Sequence, residues 1–513
     1  MNEKVSVKTV FFELFSFYKQ TLRDARNGAK TMDWKQIWGI LVSTLVISIA
    51  HALFCSLREG TGDLYMNVFI PLFFTNALIV LYAGLRKSSF PVSVCSVLLT
   101  STGAALQIYM LPTGQEKSLG EAKTYVAILF FGILASMLLV PLVRFLFTAE
   151  SMKGLAVYIL LGATLAIYLF LFLFGREFNG TKAWISIGGL SLQLTEIEKL
   201  LALISIPAIL CDQSRSEKTK SVLSVVLLCI HSVFLVLVNE LGTLCIIFMM
   251  YFITRAVFAE SRRYVLGELA LFLILGVLAL VACYGIYRIQ NPVAEEVAAT
   301  QHSETLIGEE TVGSEAAAIE AVSSEHAEEQ KAPSAFEKIF NRLGRIYPKI
   351  RERVMVFLKS DDAPDRASYQ LKRAEKALMS VSLLGTPRGS LSSVPEIDCD
   401  FVFIYLIVRL GVAGVLIVFA SLIVMLVETA AKGACVQANP GIYMTSFAMI
   451  FSIAVQALLC SCANVGLFPV IGLPFPFLSS GGSALCVNLF MSFFVISSLG
   501  EGTVKEQNNA CET

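Results

Sequence analysis

The chain alternates long apolar runs with short polar stretches, and runs of about 20 apolar residues, the length a helix needs to cross the hydrocarbon core of a bilayer, recur along most of it. The runs are continuous and do not alternate residue by residue, which favours helices over the strands of a β-barrel. In order, they predict segments near 36–56, 66–86, 90–111, 123–147, 154–175, 196–212, 221–238, 241–258, 264–288, 401–428, 441–468 and 484–500, about twelve in all. The segment at 196–212 is short, and those at 221–238 and 241–258 are parted only by Asn239 and Glu240, which reads as a hairpin turn. The expected fold class is all-α, a polytopic integral membrane protein.

The polar stretches carry the orientation. Arg86 with Lys87, Arg144 with Lys153, Arg215 with Lys218 and Lys220, Arg255 with Arg262 and Arg263, and Lys432 fall on alternate loops. The bias of basic residues toward the cytoplasm puts those loops inside, together with the N-terminal arm 1–35 and the tail 501–513. The loops at 57–65, 112–122, 176–195, 289–400 and 469–483 are then extracytoplasmic. The chain divides into that arm, a first transmembrane region 36–288, a large outer loop 289–400 and a second transmembrane region 401–500 before the tail. Within the outer loop, residues 294–330 are acidic, small and nearly free of aromatics, which predicts a disordered insert. Residues 335–359 place Phe336, Phe340, Leu343, Tyr347, Ile350, Val354 and Phe357 at helical spacing with basic residues between them. That is a basic amphipathic helix, kinked at Pro348, lying on a membrane surface or against the protein's own helices.

Composition agrees: 56% of the 513 residues are hydrophobic and only 16% charged, against about 25% charged in soluble domains. A formal net charge of zero gives no footprint for nucleic acid. Residues 1–35 are polar and mixed in charge, so no cleavable signal peptide is expected. The cysteines are scattered through apolar segments as small hydrophobes, and the tight pair Cys460 and Cys462 has no histidines at zinc-site spacing, so no metal site is expected.

Four places could carry chemistry. In "NGTKAWISIGGLSLQLTEIEKLLALI", residues 179–204, Thr195 and Glu198 have capping-box spacing, and Glu196 can pair with Lys199 on one helix face. Charges at membrane depth are costly and usually functional, though a structural ion pair is an equal reading. In "VLVNELGTLCII", Asn239, Glu240 and Gly242 break two apolar runs, as a site or as a plain turn. In "NVGLFPVIGLPFPFLSSGGSALCVNLF", residues 464–490, three prolines and "SSGGS" cannot all be helix. Irregular backbone at membrane depth must be buried in protein or line a wet cavity, and Gly481 and Gly482 could offer N–H groups to a phosphate. In "SVPEIDCDFV", residues 393–402, Pro395 and the alternating acids predict an extended approach, with a helix starting near a capping Asp400. Glu396 and Asp398 read as solvated acids. Asp400, the last charge before an apolar run, is partly withdrawn from water, which makes a carboxylate a better base.

Taken in order, these four places resemble the SEDS family of bacterial cell-wall proteins (FtsW, RodA and SpoVE). The family's glycine, basic residue, Trp-Ile and Gln-Pro-Ser-Glu-x-x-Lys read here as Gly180, Lys182, Trp184, Ile185, Gln193, Leu194, Thr195, Glu196 and Lys199. Its Pro-Asp-Leu-Gly-Thr corresponds to Asn239, Glu240, Leu241, Gly242 and Thr243. Its Leu-Pro-Glu-x-His-Thr-Asp-Phe corresponds to Val394, Pro395, Glu396, Asp398, Cys399, Asp400 and Phe401. Its Gly-Leu-Pro-x-Pro-Phe-x-Ser-x-Gly-Gly-Ser is nearly intact from Gly472 to Ser483, and the string from Arg353 to Gln370 looks like the family's outer loop. The resemblance covers roughly residues 120–500 and rests on the combination of motifs.

The resemblance implies a family core of ten helices with about two more at the N-terminal side, and a large outer loop before the tenth. It implies a peptidoglycan glycosyltransferase that polymerises lipid II, a disaccharide-peptide on undecaprenyl pyrophosphate, at the outer face of the bacterial cytoplasmic membrane, in division, elongation or sporulation. A class B penicillin-binding transpeptidase is the implied partner, membrane lipids surround the protein, and a divalent cation, Mg or Mn, is associated with activity; no organic cofactor is implied. Asp400 maps onto the family's essential aspartate, as the catalytic residue. Lys182, Trp184, Gln193, Glu196, Lys199, Glu240, Arg353, Glu396, Pro474, Ser479, Gly481, Gly482 and Ser483 are the implied substrate-binding positions. Lys182, Lys199, Arg353 and the Gly481–Gly482 loop are candidates for stabilising the leaving pyrophosphate. The departures lie close to Asp400: His-Thr is replaced by Asp398-Cys399, and Glu-Glu-Leu-Gly by Val408-Arg409-Leu410-Gly411. They keep open a catalytically weak scaffold for a penicillin-binding protein; a flippase for lipid-linked precursor is a further alternative.

Overall fold

The computed structural model describes residues 7–30, 34–54, 62–111, 116–152, 154–178, 181–187, 190–291, 335–358, 365–386, 394–436 and 439–500. The acidic insert at 294–330 and the tail at 501–513 lie outside the described residues. Each of the twelve apolar segments is a helix. Ten are long and apolar enough to span a membrane: α2 (Trp34–Phe54), α3 (Gly62–Arg86), α4 (Phe90–Met110), α5 (Glu116–Thr148), α6 (Leu155–Phe174), α8 (Glu217–Leu237), α9 (Leu241–Phe258), α10 (Arg262–Gln290), α14 (Val402–Val436) and α15 (Pro440–Asn464). The other two, α7 (Leu194–Leu210) and α16 (Gly482–Ser498), have 17 residues each. The N-terminal arm is itself a helix, α1 (Val7–Lys30), docked by Phe17 against Phe145 and by the Tyr18 hydroxyl on the Leu138 carbonyl at 2.9 Å.

The chain divides into two units, one formed by Met1–Glu268 with Met355–Thr513 and the other by Leu269–Val354. In the smaller unit, the amphipathic stretch expected at 335–359 is two helices, α11 (Ala335–Gly344) and α12 (Ile346–Phe357). The break falls at Arg345, not at Pro348. Pro348 sits in the first turn of α12, where a missing N–H removes no helix bond. The Tyr347 ring packs on Tyr284 and Tyr287 of α10, at 4.9 and 5.4 Å between centroids, so this stretch packs on the protein's own helices.

In the larger unit α4 is buried along nearly its whole length. Its Ser, Thr, Gly and Ala positions let neighbouring helices approach, as small residues do inside membranes. Hydrogen bonds between loops sort the helix ends into two groups. At one end Gln36 reaches the Ser88 carbonyl, Asn439 the Phe147 carbonyl, Arg144 the Ser497 carbonyl and Arg215 the Gly154 carbonyl. Asp400 belongs to the other end, with Glu240, Asn464 and the 465–481 loop.

The all-α architecture holds, with one small sheet added at the Asp400 end. The loop between α6 and α7 is an antiparallel three-stranded sheet, β1 (Arg176–Phe178), β2 (Thr181–Ile187) and β3 (Leu190–Gln193), in the order β1-β2-β3. Trp184 pairs with Gln193, and β3 runs directly into α7. That continuity also moves the start of α7. The helix begins at Leu194 with Gln193 as its cap, and Thr195, expected to cap it, is buried inside the first turn.

Candidate active site

The 393–402 stretch was expected to be extended. Its described part, from 394 to 401, is a tight turn in which the Glu396 carbonyl accepts from the N–H groups of Cys399 and Phe401, at 3.1 and 3.0 Å. Glu396 has a φ of 54°, and α14 starts at Val402, two residues beyond Asp400. Asp400 is therefore not the helix cap but the end of the turn that feeds the helix. It is half-buried, whereas Glu396 and Asp398 are exposed.

Neutral donors grip this turn by its backbone. Asn464 Nδ2, at the end of α15, donates to the Asp400 carbonyl at 2.8 Å, and the Cys460 thiol donates to it at 3.6 Å. Gln107 Nε2, on α4, donates to the Asp398 carbonyl at 3.0 Å and to the Leu478 carbonyl at 2.6 Å, which clasps the Asp400 turn to the proline- and glycine-rich loop. Ser480 completes the clasp: its N–H donates to the Asp398 carbonyl at 2.8 Å and its hydroxyl to Asp398 Oδ2 at 2.9 Å.

The loop from Val465 to Gly481 is irregular, as its prolines require. Phe477 takes a φ of 64°, a region bulky side chains rarely occupy. Its carbonyl accepts from the Tyr125 hydroxyl at 3.4 Å and sits where a Cβ on Gly103 would meet it at 2.0 Å, so only glycine fits at 103. Asn239, Glu396 and Phe477, all at this end, hold left-handed backbone, the kind of strain that collects at functional sites.

The substrate-binding candidates fall into distinct positions. Glu196 and Lys199 pair at 2.6 Å as their spacing predicted, and both are buried. Lys199 also donates to Gln456 Oε1 at 2.8 Å, and Gln456 Nε2 donates to the Pro474 carbonyl at 2.7 Å. The pair thus braces the 472–478 backbone from beneath. Gln193 links three parts: its N–H donates to Ser483 Oγ at 2.9 Å, and its side-chain amide to Glu240 Oε1 at 3.5 Å. Glu240 stands at the N-cap position of α9 and also accepts from the Thr243 hydroxyl at 3.4 Å. Ser479 Oγ accepts from the Gly481 N–H at 3.2 Å and donates to Cys399 Sγ at 3.5 Å. The Gly481 N–H, a proposed phosphate donor, is thus already engaged; Gly482 opens α16 and is half-buried. Lys182 Nζ donates to the Phe172 carbonyl at 2.6 Å and lies over the Phe172 ring, which ties β2 to the end of α6. Trp184 is half-buried on β2. Arg353 lies on α12 in the smaller unit. On the far face of α7, buried Glu198 stands 4.0 Å from His231, whose Nδ1 shares a hydrogen bond with the Tyr168 hydroxyl at 2.8 Å.

Burial, followed by the neighbouring Asp400 carboxylate, pushes the Cys399 thiol up to about 12. It remains a neutral S–H beside the acid. Gln107, Gln456 and Ser480 were not among the residues expected from sequence. The one available signal was a lone amide inside an apolar run, "GAALQIYM" and "SIAVQALLC". Among the described residues no three of His, Cys, Asp and Glu converge as a cation site.

The chain matches the family profile of FtsW, RodA and SpoVE, described as "Cell cycle protein", over residues 92–296 and 340–501. It is 30% identical over 154 residues to the peptidoglycan glycosyltransferase MrdB of Escherichia coli K12, which is 29% of this chain and 41% of that protein. It is 31% identical over 145 residues to the probable peptidoglycan glycosyltransferase FtsW of Borreliella burgdorferi, covering 27% of this chain and 39% of that one. These matches therefore span about two fifths of those relatives. A longer match, 23% identical over 341 residues, reaches the probable FtsW of Wigglesworthia glossinidia brevipalpis and covers 65% of this chain and 72% of that one. Among solved structures, a chain from a peptidoglycan synthase complex that coordinates polymerisation and crosslinking aligns with a TM-score of 0.53 at 18% identity, over 80% of this chain and 96% of its own, a likeness of fold.

Proposed function

The chain belongs to the family of cell cycle proteins that comprises FtsW, RodA and SpoVE, and from that premise we propose that it is a glycosyltransferase that polymerises lipid II into glycan strands. The observation that carries this reading is the half-buried Asp400 at the head of a spanning helix, its turn clasped by Asn464, Gln107 and Ser480 to the proline- and glycine-rich loop. A sugar hydroxyl is a poor nucleophile. Asp400 takes its proton as the oxygen attacks the anomeric carbon of the donor, and the pyrophosphate leaves with its lipid. The Cys399 thiol, held near 12, stays protonated and does not compete as a base. A divalent cation would arrive with the substrate's pyrophosphate, and no step here is routed through it.

The bundle is oriented with the Arg144, Arg215 and Arg255 end in the cytoplasm, by the basic-residue bias, and the Asp400 end outside. The membrane is the bacterial cytoplasmic membrane, where lipid II is presented. A transpeptidase of the class B penicillin-binding type is the proposed partner, in keeping with the synthase complex whose fold the chain shares.

The test is to purify the chain with and without such a partner, supply labelled lipid II, and look for glycan chains from the wild type and from Asp400→Asn. Removing a general base typically lowers the rate by about 10²- to 10⁴-fold. Chains from the wild type that vanish in the variant support the reading. Chains that persist in the variant remove Asp400 as the base. No chains from either, with the partner present, would favour a scaffold, the reading that Arg409 in place of an acid supports.

A further inference from the structure

The stretch "MSVSLLGT", residues 379–386, follows α13 (Asp365–Leu378) in what reads as an outer loop, and it carries no charge. Its backbone is locked to the interior of α14. The Thr386 N–H donates to the Val408 carbonyl at 2.9 Å, and the N–H groups of Val412 and Ala413 donate to the carbonyls of Ser382 and Leu383 at 3.2 and 3.0 Å. Arg409, buried in α14, donates from Nη1 to the Thr386 carbonyl at 3.2 Å. The pairing is possible because α14 is broken at Gly411, with φ 70° and ψ −172°. Two glycines interlock there: a Cβ on Gly385 would meet the Arg409 carbonyl at 1.9 Å, and one on Gly411 would meet the Gly385 nitrogen and the Leu383 carbonyl at 2.4 Å.

The depth of this join follows from helix length. The span Val402–Lys432 has 31 residues, about 46 Å at ~1.5 Å per residue, against a hydrocarbon core of about 30 Å. Centred, it overhangs the core by about 8 Å at each end, roughly five residues, and tilting shortens the overhang. On that reckoning residues 408–413, and the segment paired to them, fall at the edge of the hydrocarbon on the Asp400 side. There a broken helix and a loop survive only if each satisfies the polar groups the other leaves open, which is what these hydrogen bonds do. Yet Met379, Leu383 and Leu384 are 85%, 67% and 62% exposed. Leu383 is paired to Ala413, about one helical turn from the exposed Leu416 and Ile417 of α14.

We infer that residues 379–386 are a re-entrant segment dipped into the leaflet at the Asp400 end, and that its Met379, Leu383 and Leu384 edge is covered by the acyl chains of membrane phospholipid. The backbone pairing sets the depth, the absence of charge makes insertion tolerable, and continuity with the flank of a spanning helix identifies hydrocarbon as the occupant. The inference stands apart from the proposed reaction. Its consequence is that bilayer hydrocarbon touches the same helix whose first turn follows Asp400.

The test places the photoreactive residue benzoylphenylalanine at Leu384, at Met379 or, as a water-facing control, at Lys376 of α13. The full chain is reconstituted in nanodiscs of phosphatidylcholine and phosphatidylglycerol, irradiated and weighed by mass spectrometry. All three positions are exposed, so the bulky residue does not disturb packing. The expected result is a mass shift of one phospholipid at Leu384 and Met379 and none at Lys376. Crosslinks from Leu384 and Met379 to the chain itself or to a second protein, or no lipid adduct at either, would overturn the inference. Glycan synthesis is not read out, so failure here leaves the proposed activity untouched.

Discussion

At the end of the bundle away from Asp400, Arg255 holds both oxygens of Glu268, at 2.6 and 3.0 Å, and Tyr251 and the Ser221 hydroxyl close on the same carboxylate. Arg215 with Asp212, Lys220 with Glu217, and Lys432 with Glu428 continue the pattern. At the Asp400 end the turn and the proline- and glycine-rich loop are held by amides and hydroxyls aimed at backbone carbonyls: Gln107 on Asp398 and Leu478, Asn464 on Asp400, and Gln456 on Pro474. The Arg255–Glu268 pair ties α9 to α10, the other three are local i, i+3 or i, i+4 pairs, and all of them use up their charges. Grips on the backbone position the turn that carries Asp400. The Glu196–Lys199 pair joins both styles, an ion pair that acts on the loop only through the amide of Gln456.

The largest effect comes from breaking the buried charge pair. Glu268→Gln leaves the Arg255 guanidinium buried with half its partner gone and costs about 3–5 kcal/mol of stability, measurable as loss of folded protein on heating in detergent. A smaller stability loss, about 1–3 kcal/mol, is expected for Gln107→Ala, which takes away the donor to the Leu478 carbonyl and one of the two donors to the Asp398 carbonyl. The Cys399 thiol sharpens the contrast at the Asp400 end without changing the fold. Held up at about 12, it stays protonated through neutral pH and gains thiolate only as pH rises toward that value, so its alkylation at pH 8 is slower than that of an exposed thiol by on the order of a hundredfold or more. Mass spectrometry after timed alkylation across pH 8–11 reads it directly; a plateau near pH 9 would contradict it. The smallest effect is Lys432→Ala. That pair is half-exposed, and its loss shifts stability by less than about 1 kcal/mol.

How much of this was legible in the chain depends on how local the cause is. Apolar run length is local, so all twelve helices could be read from it, and the i, i+3 spacing of Glu196 and Lys199 gave their pair. The prolines at 469, 474 and 476 announced irregular backbone. The Gly188–Gly189 step between two alternating runs is a hairpin signal that the all-α expectation did not use. The extended approach to Asp400 failed because the turn is imposed from outside, by Gln107 on α4 and Ser480 on the facing loop, nearly 300 and some 80 residues away in sequence. The join of residues 379–386 to Gly411 was beyond reach for the same reason. A glycine in an apolar run does not say which distant backbone it admits.

The contrast between the two ends is tested most directly by measuring stability and turnover together for Gln107→Ala and Glu268→Gln in the purified chain with its partner and labelled lipid II. The account predicts that Gln107→Ala loses most of its turnover per folded molecule while keeping most of its stability, and that Glu268→Gln loses stability while each folded molecule polymerises at the wild-type rate. The reverse result, or equal loss of both quantities in both variants, would contradict it.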